Sequence, residues 1–409
     1  MNKDLLNKIL ITLGLLFFYR VMSYIPVPGV DIHLLNNLFQ NNHLIEIANM
    51  FNGNAISRFS IISLGIMPYI TASIIMELVA ATYSNIKMLK KTQEGMYKYI
   101  QYIRYLTIFI TIIQSFSISI MLLKSGNIVL INSELFLFLT VLSLTTGTFV
   151  LMWLGELITK NGIGNGISLI IFASIISGLP NALFTTFELF SKDSIDFFVI
   201  ILTSIVILFT VLIIIYIELA ERRLPLSYIK DKKFQNLNYL PIKINLAGII
   251  PPIFASAILI LPNSLSNHVS NEYLKNIIDL FLPGNILYNL SLFFLVIFFA
   301  YFYTSITFNT KDISERLKNE EAYFEGIRPL EQTEKYLDNI VSKLTFVGSI
   351  YLALISTLPF IIIKNLGMPF YFGGPMVLII IQVALDTMKK IEANIRANKY
   401  VKENLTNTL

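Results

Sequence analysis

Side chains able to perform acid–base, nucleophilic or metal chemistry are few in this 409-residue chain. Its three histidines, His33, His43 and His268, form neither an HExxH pair nor any other metal-ligand spacing. The chain contains no cysteine, which excludes disulfides and thiolate metal sites. No paired aspartates occupy the centre of an apolar stretch. We therefore expect no catalytic residue, no bound metal and no cofactor.

Ionisable side chains inside a membrane usually mark a path for a solute or a proton. Those of the long apolar stretches lie near the ends of the stretches: Glu77, Glu156, Glu218, Glu221 and Asp386 toward one side, and Arg20 toward the other, where side chains can reach the surface. The centres of the stretches hold Ile, Leu, Phe, Val, Ser and Thr. Whatever passes through the centre of this protein is therefore not held by fixed charge.

A glycine-rich segment at residues 162–166 superficially looks like a phosphate-binding loop. No strand precedes it, its spacing is not GxGxxG, and no Gly-Lys pair occurs in the chain, so a Walker A motif is absent. We interpret the segment as a tight turn between two helices. If the chain performs mechanical work, a partner must supply the nucleotide hydrolysis.

The elements that position these residues are apolar and long. With 55% apolar residues, 14% charged residues and repeated apolar runs of about 20 residues, the class is an all-α polytopic membrane protein. We predict ten spans, at about residues 5–24, 63–83, 103–123, 135–157, 167–187, 197–217, 246–265, 286–308, 344–363 and 370–388. The first is predicted to be a retained span and not a signal peptide, because no small-x-small cleavage site follows it.

The distribution of basic residues predicts the orientation. With the N-terminus in the cytoplasm, 25 of the 31 Lys and Arg fall in cytoplasmic segments. The outer side keeps six: Arg20, Arg58, Lys124, Lys192, Lys275 and Lys364. Because cytoplasmic loops carry the excess of Lys and Arg, both termini are predicted to be cytoplasmic.

Ten spans divide into two sets of five. The predicted N-terminal half is 1–191, the C-terminal half is 192–390, and 391–409 is a cytoplasmic tail. Five is odd, so repeated halves would have to be inverted, which places a pore or site between them near mid-membrane. The alternative is ten unrelated helices, since the halves show no strong similarity.

A half-polar segment at about residues 47–63 runs directly into the second span. Irregular backbone within a bilayer must be buried in protein or face water, so the segment implies an internal cavity. The next helix carries Ile66 and Ile70 on one face, and the fifth span opens with Ile167 and Ile171 at the same spacing. Spacing alone leaves lipid or helix contact as the alternative for these isoleucines.

Two cytoplasmic loops, 221–243 and 310–343, are long and charged among otherwise short connections. Charged runs are often simply solvated. Loops of this length are also frequently functional.

Six stretches in one order resemble the SecY family, the central channel subunits of the bacterial protein translocase. They are IPVPG at 25–29, GIMPYITASIIMEL at 65–78, LMWLGE at 151–156 with GIGNGIS at 162–168, AGIIPPIFA at 247–255, GIRP at 326–329 with EQT at 331–333, and PFYFGG at 369–374. The resemblance covers nearly the whole chain. It implies a channel that translocates unfolded secretory polypeptides and inserts membrane proteins through a lateral gate, powered by a motor or a ribosome.

The resemblance also implies site residues. The family's apolar pore ring falls on Ile66, Ile70, Ile167, Ile171, Ile253 and Ile379. The segment 47–63 corresponds to the family's plug, with Asn49, Phe51, Asn54 and Arg58 among its residues. Hydrophobic constrictions gate by excluding water, so the ring and plug together would close the resting pore.

The implied lateral gate lies between spans two and three on one side and seven and eight on the other. Its matching residues are Thr71, Gln114 and Leu261, although a simple helix–helix hydrogen bond is an equal alternative for Gln114. The implied docking surface for the motor and ribosome includes Lys230, Lys232, Lys233, Arg328, Glu331 and Tyr400.

Implied partners are the SecE and SecG subunits, the SecA motor, the ribosome, signal sequences, nascent chains and lipid, with no nucleic-acid site beyond ribosome docking. The implied location is a bacterial inner membrane, although a plastid membrane also fits the residues. Two departures stand out: the loop 227–241 is short and lacks the family's paired arginines, and Leu330 stands where the family pattern has glycine.

A small-solute secondary transporter with inverted repeats is the second interpretation. Such a protein needs interrupted helices with polar or charged groups near mid-membrane, and an all-isoleucine ring would not serve it. An intramembrane enzyme is the third, and the chain offers no motif for it. Solute-uptake and peptidase assays separate these classes.

Overall fold

The computed structural model describes residues 3–32, 34–35, 53, 55–124, 128–192, 195–228, 239–266, 280, 285–366 and 374–406. Within them, the side chains of residues 3, 260–266, 360, 363–365 and 397–406 are not described.

Helices account for most of these residues. They are α1 (Lys3–Met22), α2 (Met67–Thr82), α3 (Ser84–Leu89), α4 (Gln93–Lys124), α5 (Ser133–Asn161), α6 (Gly166–Ser191), α7 (Phe197–Leu219), α8 (Ile250–Ser266), α9 (Ile286–Thr307), α10 (Thr310–Asn319), α11 (Glu331–Asn365) and α12 (Gly374–Thr406). Four short strands complete the described elements: β1 (Glu221–Pro225), β2 (Ser227–Tyr228), β3 (Tyr239–Lys243) and β4 (Ala322–Tyr323).

Each of the ten predicted spans overlaps one of these helices. Seven helical segments are long and apolar enough to cross a membrane: Asp4–Met22, Gln93–Lys124, Ser133–Asn161, Gly166–Ser191, Phe197–Leu219, Ile286–Asn319 and Glu331–Pro359. The apolar parts of α2 and α8 are shorter, and α12 continues into a charged tail. The all-α, multi-span class is confirmed, whereas membrane crossing by α2, α8 and α12 stays a prediction.

The chain forms two compact units. One comprises Met1–Ser194 with Val383–Leu409, and the other comprises Ile195–Gln382. The helix α12 therefore begins in the second unit and ends in the first. An inverted relation between the halves stays a prediction.

Helix α5 organises the first unit, because it contacts α1, α2, α4 and α6. Two glycines allow backbones to approach it closely. A Cβ atom at Gly147 would lie 1.8 Å from the carbonyl oxygen of Ile61, and a Cβ atom at Gly166 would lie 1.9 Å from that of Gly155. The residues before α2 and the start of α6 are thus both positioned by direct backbone packing on α5.

In the second unit, the two long charged loops fold together. Strand β1 pairs antiparallel with β3 within the first loop, and β2 of that loop pairs with β4 of the second. A separate apolar core lies beneath them, made of Leu224, Leu226, Ile242, Leu317, Ala322, Phe324, Leu337, Ile340 and Leu344. The loops therefore form a small folded domain on the second unit.

Candidate functional site

The first isoleucine pair lies where α2 begins. Gly65 adopts a left-handed conformation (φ +58°), and Ile66 is the N-cap residue immediately before α2. The amide of Ile70 donates to the carbonyl of Ile66 at 3.1 Å, so one helical turn joins the pair. Ile66 is 5% exposed and Ile70 is 9% exposed. The sequence-predicted placement of both on one helix face follows from this geometry.

The second pair lies where α6 begins. The side-chain oxygen of Asn165 accepts a hydrogen bond from the amide of Ile167 at 3.1 Å, which caps the helix. Ile167 is half-buried and Ile171 is buried one turn later. The glycine-rich segment that precedes this helix is a helix–helix turn, as predicted from the absence of a preceding strand.

The two remaining isoleucines belong to the second unit. Ile253 is half-buried on α8, and Ile379 is buried on α12. The structure thus places the six residues on four helices, four of them in the first unit and two in the second. Their joining into one ring stays a prediction.

The described part of the insert is Gly53 and residues 55–63, so Asn49, Phe51 and Asn54 lie outside the described residues. This part is tied to the chain that follows α1. The amide of Val27 donates to the carbonyl of Phe59 at 2.8 Å, and the amide of Ile61 donates to that of Ile25 at 2.9 Å. Phe59 is buried in a left-handed conformation (φ +43°) that a bulky residue rarely adopts. Several contacts are therefore needed to hold it there.

Arg20 was interpreted from the sequence only as a residue at the outer end of a span, and the structure gives it a larger part. Its Nη1 atom donates to the carbonyl of Gly53 at 3.0 Å and to the hydroxyl of Ser177 at 3.1 Å. Its Nη2 atom donates to the hydroxyl of Tyr24 at 3.1 Å. One guanidinium thus joins α1, the insert and α6. A lone arginine beside an uncharged segment was the only sequence signal.

Arg58, one of the residues matched to the plug, extends the same cluster. Its guanidinium lies 3.9 Å from the centre of the Tyr24 ring, and that of Arg20 lies 5.0 Å from the same ring. Cations over an aromatic face are attracted by the negative charge density of the ring. The Tyr24 ring therefore links the insert to α1, because it contacts Arg58 of the insert and Arg20 of α1.

The residues matched to the lateral gate lie on separately packed helix pairs. In the first unit α2 packs on α4, with Ala72, Met76, Ala80, Tyr99 and Ile103 as their common core. In the second unit α8 packs on α9, where the Phe254 and Phe299 rings meet edge to face at 5.7 Å.

Each gate residue has a different local setting. Thr71, on α2, donates its hydroxyl to the carbonyl of Met67 at 3.0 Å. Gln114, on α4, is half-buried, and within the described residues no side-chain hydrogen bond engages it. The side chain of Leu261, on α8, lies outside the described residues.

The folded loops present Arg328 on a constrained turn. Its amide donates to the side-chain oxygen of Gln332 at 3.1 Å, and its carbonyl accepts from the hydroxyl of Thr333 at 3.0 Å. The side chain is exposed, and no described hydrogen bond or ion pair engages its guanidinium. Because the backbone is held at both polar groups, the cation projects from a defined position.

The other residues matched to the docking surface are less well defined. Glu331 is exposed and pairs with Lys335 at 2.8 Å. Lys230, Lys232 and Lys233 lie outside the described residues, and only the backbone of Tyr400 is described, within α12. The neighbouring strand adds the exposed Arg223, whose pKa is raised by the hydrogen bond that its Nε donates to Glu221 at 2.9 Å.

Leu330, where the family pattern has glycine, is strained. Its φ angle is +74°, a left-handed conformation that costs a side-chain-bearing residue roughly 1–2 kcal/mol. Its carbonyl accepts hydrogen bonds from the hydroxyl of Ser314 at 2.7 Å and the amide of Glu334 at 2.8 Å, which hold the turn in place. The turn therefore keeps its shape despite the residue type.

We expect Leu330→Gly to stabilise this turn by up to about 1 kcal/mol, because relief of the left-handed strain exceeds the entropy that glycine loses. The matched control is Leu330→Ala, which removes the same apolar side chain but keeps the strain. The measurement is the protease cleavage rate of the loop between α10 and α11 in the purified full chain. Equal cleavage of the two variants would contradict the prediction.

No group of three or more His, Asp or Glu able to hold a metal ion occurs within the described ranges. The fold and the site together define an α-helical, multi-pass membrane protein with an irregular insert leading into an apolar-lined helix. The chain belongs to the SecY family, whose model, described as SecY, matches residues 60–388. The resemblance predicted from six separate stretches of sequence is thereby confirmed.

Comparison with curated proteins agrees. The chain is 52% identical over 412 residues to the protein translocase subunit SecY of Helicobacter pylori, covering 98% of each protein. It is 38% identical over 412 residues to the protein translocase subunit SecY of Escherichia coli K12, covering 97% of this chain and 93% of that protein. The chain is a multi-pass protein of a bacterial membrane.

Solved structures share the fold. One, described as the structure of a protein conducting channel, superposes with a TM-score of 0.72 at 20% identity, covering 96% of this chain and 93% of that one. Sec61 in a canine ribosome-channel complex superposes with a TM-score of 0.69 at 19% identity and the same coverage. At these identities the likeness establishes the architecture.

Proposed function

We propose that this chain is the protein-conducting channel of a bacterial translocase. It passes unfolded secretory polypeptides across the membrane and releases apolar helices sideways into lipid. The observation that carries the proposal is 52% identity to a protein translocase subunit SecY over 98% of both proteins. In this proposal the chain transfers polypeptides across the membrane and lets apolar helices partition into lipid. It uses no catalytic residue of its own and no cofactor.

The proposed pore ring is the set of six isoleucines. None carries charge or a hydrogen-bonding side chain, so a passing polypeptide of any sequence finds no site at which to bind. When the pore is empty, an apolar constriction excludes water and with it ions. The same branched side chains can move aside for a chain in transit. This combination suits a channel for polypeptides and does not suit a small-solute transporter.

The proposed plug is the segment 47–63, which closes the resting pore. Support for a defined resting position comes from its described half, where Arg20 engages Gly53 and Arg58 lies over Tyr24. A related structure is described as showing that the plug domain of the SecY protein stabilises the closed state and maintains a membrane seal. Opening requires these contacts to break.

The proposed lateral gate lies between the α2–α4 pair and the α8–α9 pair, near Thr71, Gln114 and Leu261. A signal helix of about 20 apolar residues favours lipid, whereas a charged residue costs about 2.5–3.5 kcal/mol at the helix centre. A gate that exposes each segment to both phases lets this difference decide its destination.

The proposed driving force comes from partners. The folded loop domain docks the SecA motor or the ribosome through the exposed Arg328 and Glu331. Further proposed contacts are Lys230, Lys232 and Lys233 in the first loop and Tyr400 in the tail. Two structures with this fold are described as ribosome complexes, one of canine Sec61 in a ribosome-channel complex and one of the yeast Ssh1 complex bound to the 80S ribosome. SecE and SecG complete the complex. The proposed location is the inner membrane of a bacterial cell. Both termini face the cytoplasm in this proposal.

The absence of native cysteine allows a direct test. With Ile171→Cys and a single cysteine in the mature part of a secretory precursor stalled during export, mild oxidation should form a disulfide between channel and precursor. The expected cross-link requires both the motor and the stall, because only then does the polypeptide occupy the pore. Gel mobility under non-reducing conditions measures it.

The matched control is Ile176→Cys, on the same helix, where the native side chain is 38% exposed. It should give no cross-link to the precursor. Cross-linking at residue 176 but not at residue 171 would mean that the polypeptide does not pass along this face of α6. The secondary-transporter interpretation would then be reopened, with a solute-uptake assay as the next measurement.

A further inference from the structure

A buried carboxylate lies at the end of α7, and the proposed pore and gate make no use of it. Glu218 is 4% exposed, and its Oε1 atom accepts a hydrogen bond from the Nδ2 atom of Asn245 at 2.6 Å. Asn245 is 3% exposed. Charged side chains are rarely buried to this degree without a specific task.

The carboxylate determines which way Asn245 points. Because Oε1 of Glu218 accepts the hydrogen bond, the amide nitrogen of Asn245 faces the carboxyl group. The amide oxygen is then directed to the backbone amide of Gly248, from which it accepts at 3.1 Å. Gly248 is left-handed (φ +65°) and lies two residues before α8 begins. The orientation set by Glu218 therefore reaches the start of the proposed gate helix.

Helices α11 and α12 both pack closely around the same place. A Cβ atom at Gly348 would lie 3.0 Å from the carbonyl oxygen of Ile244, and one at Gly248 would lie 3.1 Å from the Nε2 atom of Gln382. The side-chain oxygens of Tyr351 and Gln382 are buried without a hydrogen-bond partner among the described residues. Unsatisfied buried polar atoms favour rearrangement, because another arrangement can satisfy them.

The cluster is also continuous with the folded loop domain. Strand β1 starts three residues after Glu218, and β3 ends two residues before Asn245. Glu221 pairs with Lys243 in the first register position, and the amide of Ile244 donates to the carbonyl of Ala220 at 3.2 Å. A displacement of the β1–β3 hairpin therefore moves Glu218 and Asn245 together.

We propose that the Glu218–Asn245–Gly248 hydrogen bonds form a joint that transmits movement of the β1–β3 hairpin to the start of α8. Glu218 and Asn245 are positioning residues, which act on the gate helix without touching the translocated polypeptide. The inference rests on the proposed function, since it assumes that a cytosolic motor or ribosome loads the hairpin. The movement that the partner causes is then transmitted to α8 through the buried side-chain amide of Asn245.

The test separates partner binding from its transmission to α8. A cysteine replaces Ile258, which is 39% exposed on α8, and carries an environment-sensitive fluorophore in the reconstituted full complex. Binding of the motor should change the emission in the otherwise unaltered chain. Glu218→Gln should reduce that change about fivefold, the size expected when a charge-assisted hydrogen bond becomes a neutral one.

Three controls define the outcome. The dissociation constant of the motor should stay within about twofold, as expected for a change remote from the docking contacts. Asn245→Leu should abolish the emission change, and adding Glu218→Gln to it should cause no further loss. Glu134→Gln, an exposed carboxylate at the start of α5, should leave the response intact.

A full emission change in both Glu218→Gln and Asn245→Leu would overturn the joint. So would a loss of response in proportion to a loss of motor affinity, because that would indicate general misfolding. If the unaltered chain neither binds the motor nor translocates a precursor, the proposed function fails instead.

Discussion

Replacing Ile70 with asparagine should raise the ion conductance of the resting channel by about tenfold or more, because a polar amide allows water to occupy an apolar constriction. Ile70 is 9% exposed and lies one turn beyond Ile66 on α2. The buried amide has no polar partner supplied by the neighbouring isoleucines, so water becomes its preferred hydrogen-bonding partner. Ion flux across proteoliposomes without precursor measures the effect.

Ile75→Asn is the matched control for this substitution. Ile75 lies on the same helix, five residues further on, and is 37% exposed. The same polar group is then introduced away from the proposed constriction, and the resting conductance should remain low. Equal conductance of the two variants would mean that Ile70 does not line the ion barrier.

Gly147→Ala should destabilise the folded protein by about 3 kcal/mol, the upper end of the range typical when a packed interior has no room for an added group. The new Cβ atom would lie 1.8 Å from the carbonyl oxygen and 2.6 Å from the carbonyl carbon of Ile61. Both are backbone atoms, so no side-chain rotation relieves the clash. Either α5 or the segment leading into α2 must move.

Gly178→Ala provides the comparison. Gly178 lies inside α6, and nothing comes within 4 Å of an added Cβ atom there. Alanine is the better helix former by about 1 kcal/mol, so this variant should be neutral or slightly stabilised. The apparent melting temperature of the detergent-solubilised protein measures both. A Gly147→Ala variant as stable as Gly178→Ala would contradict the close packing on α5.

Hydropathy located the helices better than it located their ends. The third predicted span, 103–123, lies inside α4 (Gln93–Lys124), and the ninth, 344–363, lies inside α11 (Glu331–Asn365). The extra turns of both helices lie mainly at their N-terminal ends and are rich in charged and polar residues. A transfer free energy detects only the apolar part of a helix that continues beyond the bilayer.

The class, the apolar helices and the two isoleucine pairs follow from the amino-acid sequence alone. Each depends on composition or on residues within one helical turn, where backbone geometry is known in advance. The resemblance to a family added the proposal of which residues form the ring and the plug. These predictions needed no knowledge of contacts between distant residues.

The contacts that join distant segments become visible only in the folded chain. Arg20 donates to the carbonyl of Gly53, 33 residues away in the chain. Strand β2 pairs with β4, although three described helices separate them in the sequence. Glu218 accepts a hydrogen bond from the buried Asn245. The local sequence marks Arg20 and Glu218 only as ionisable residues near span ends and indicates none of these partners. A hydrogen bond between remote residues depends on how whole helices pack, and that packing reflects the sum of many small apolar contacts that no local pattern encodes.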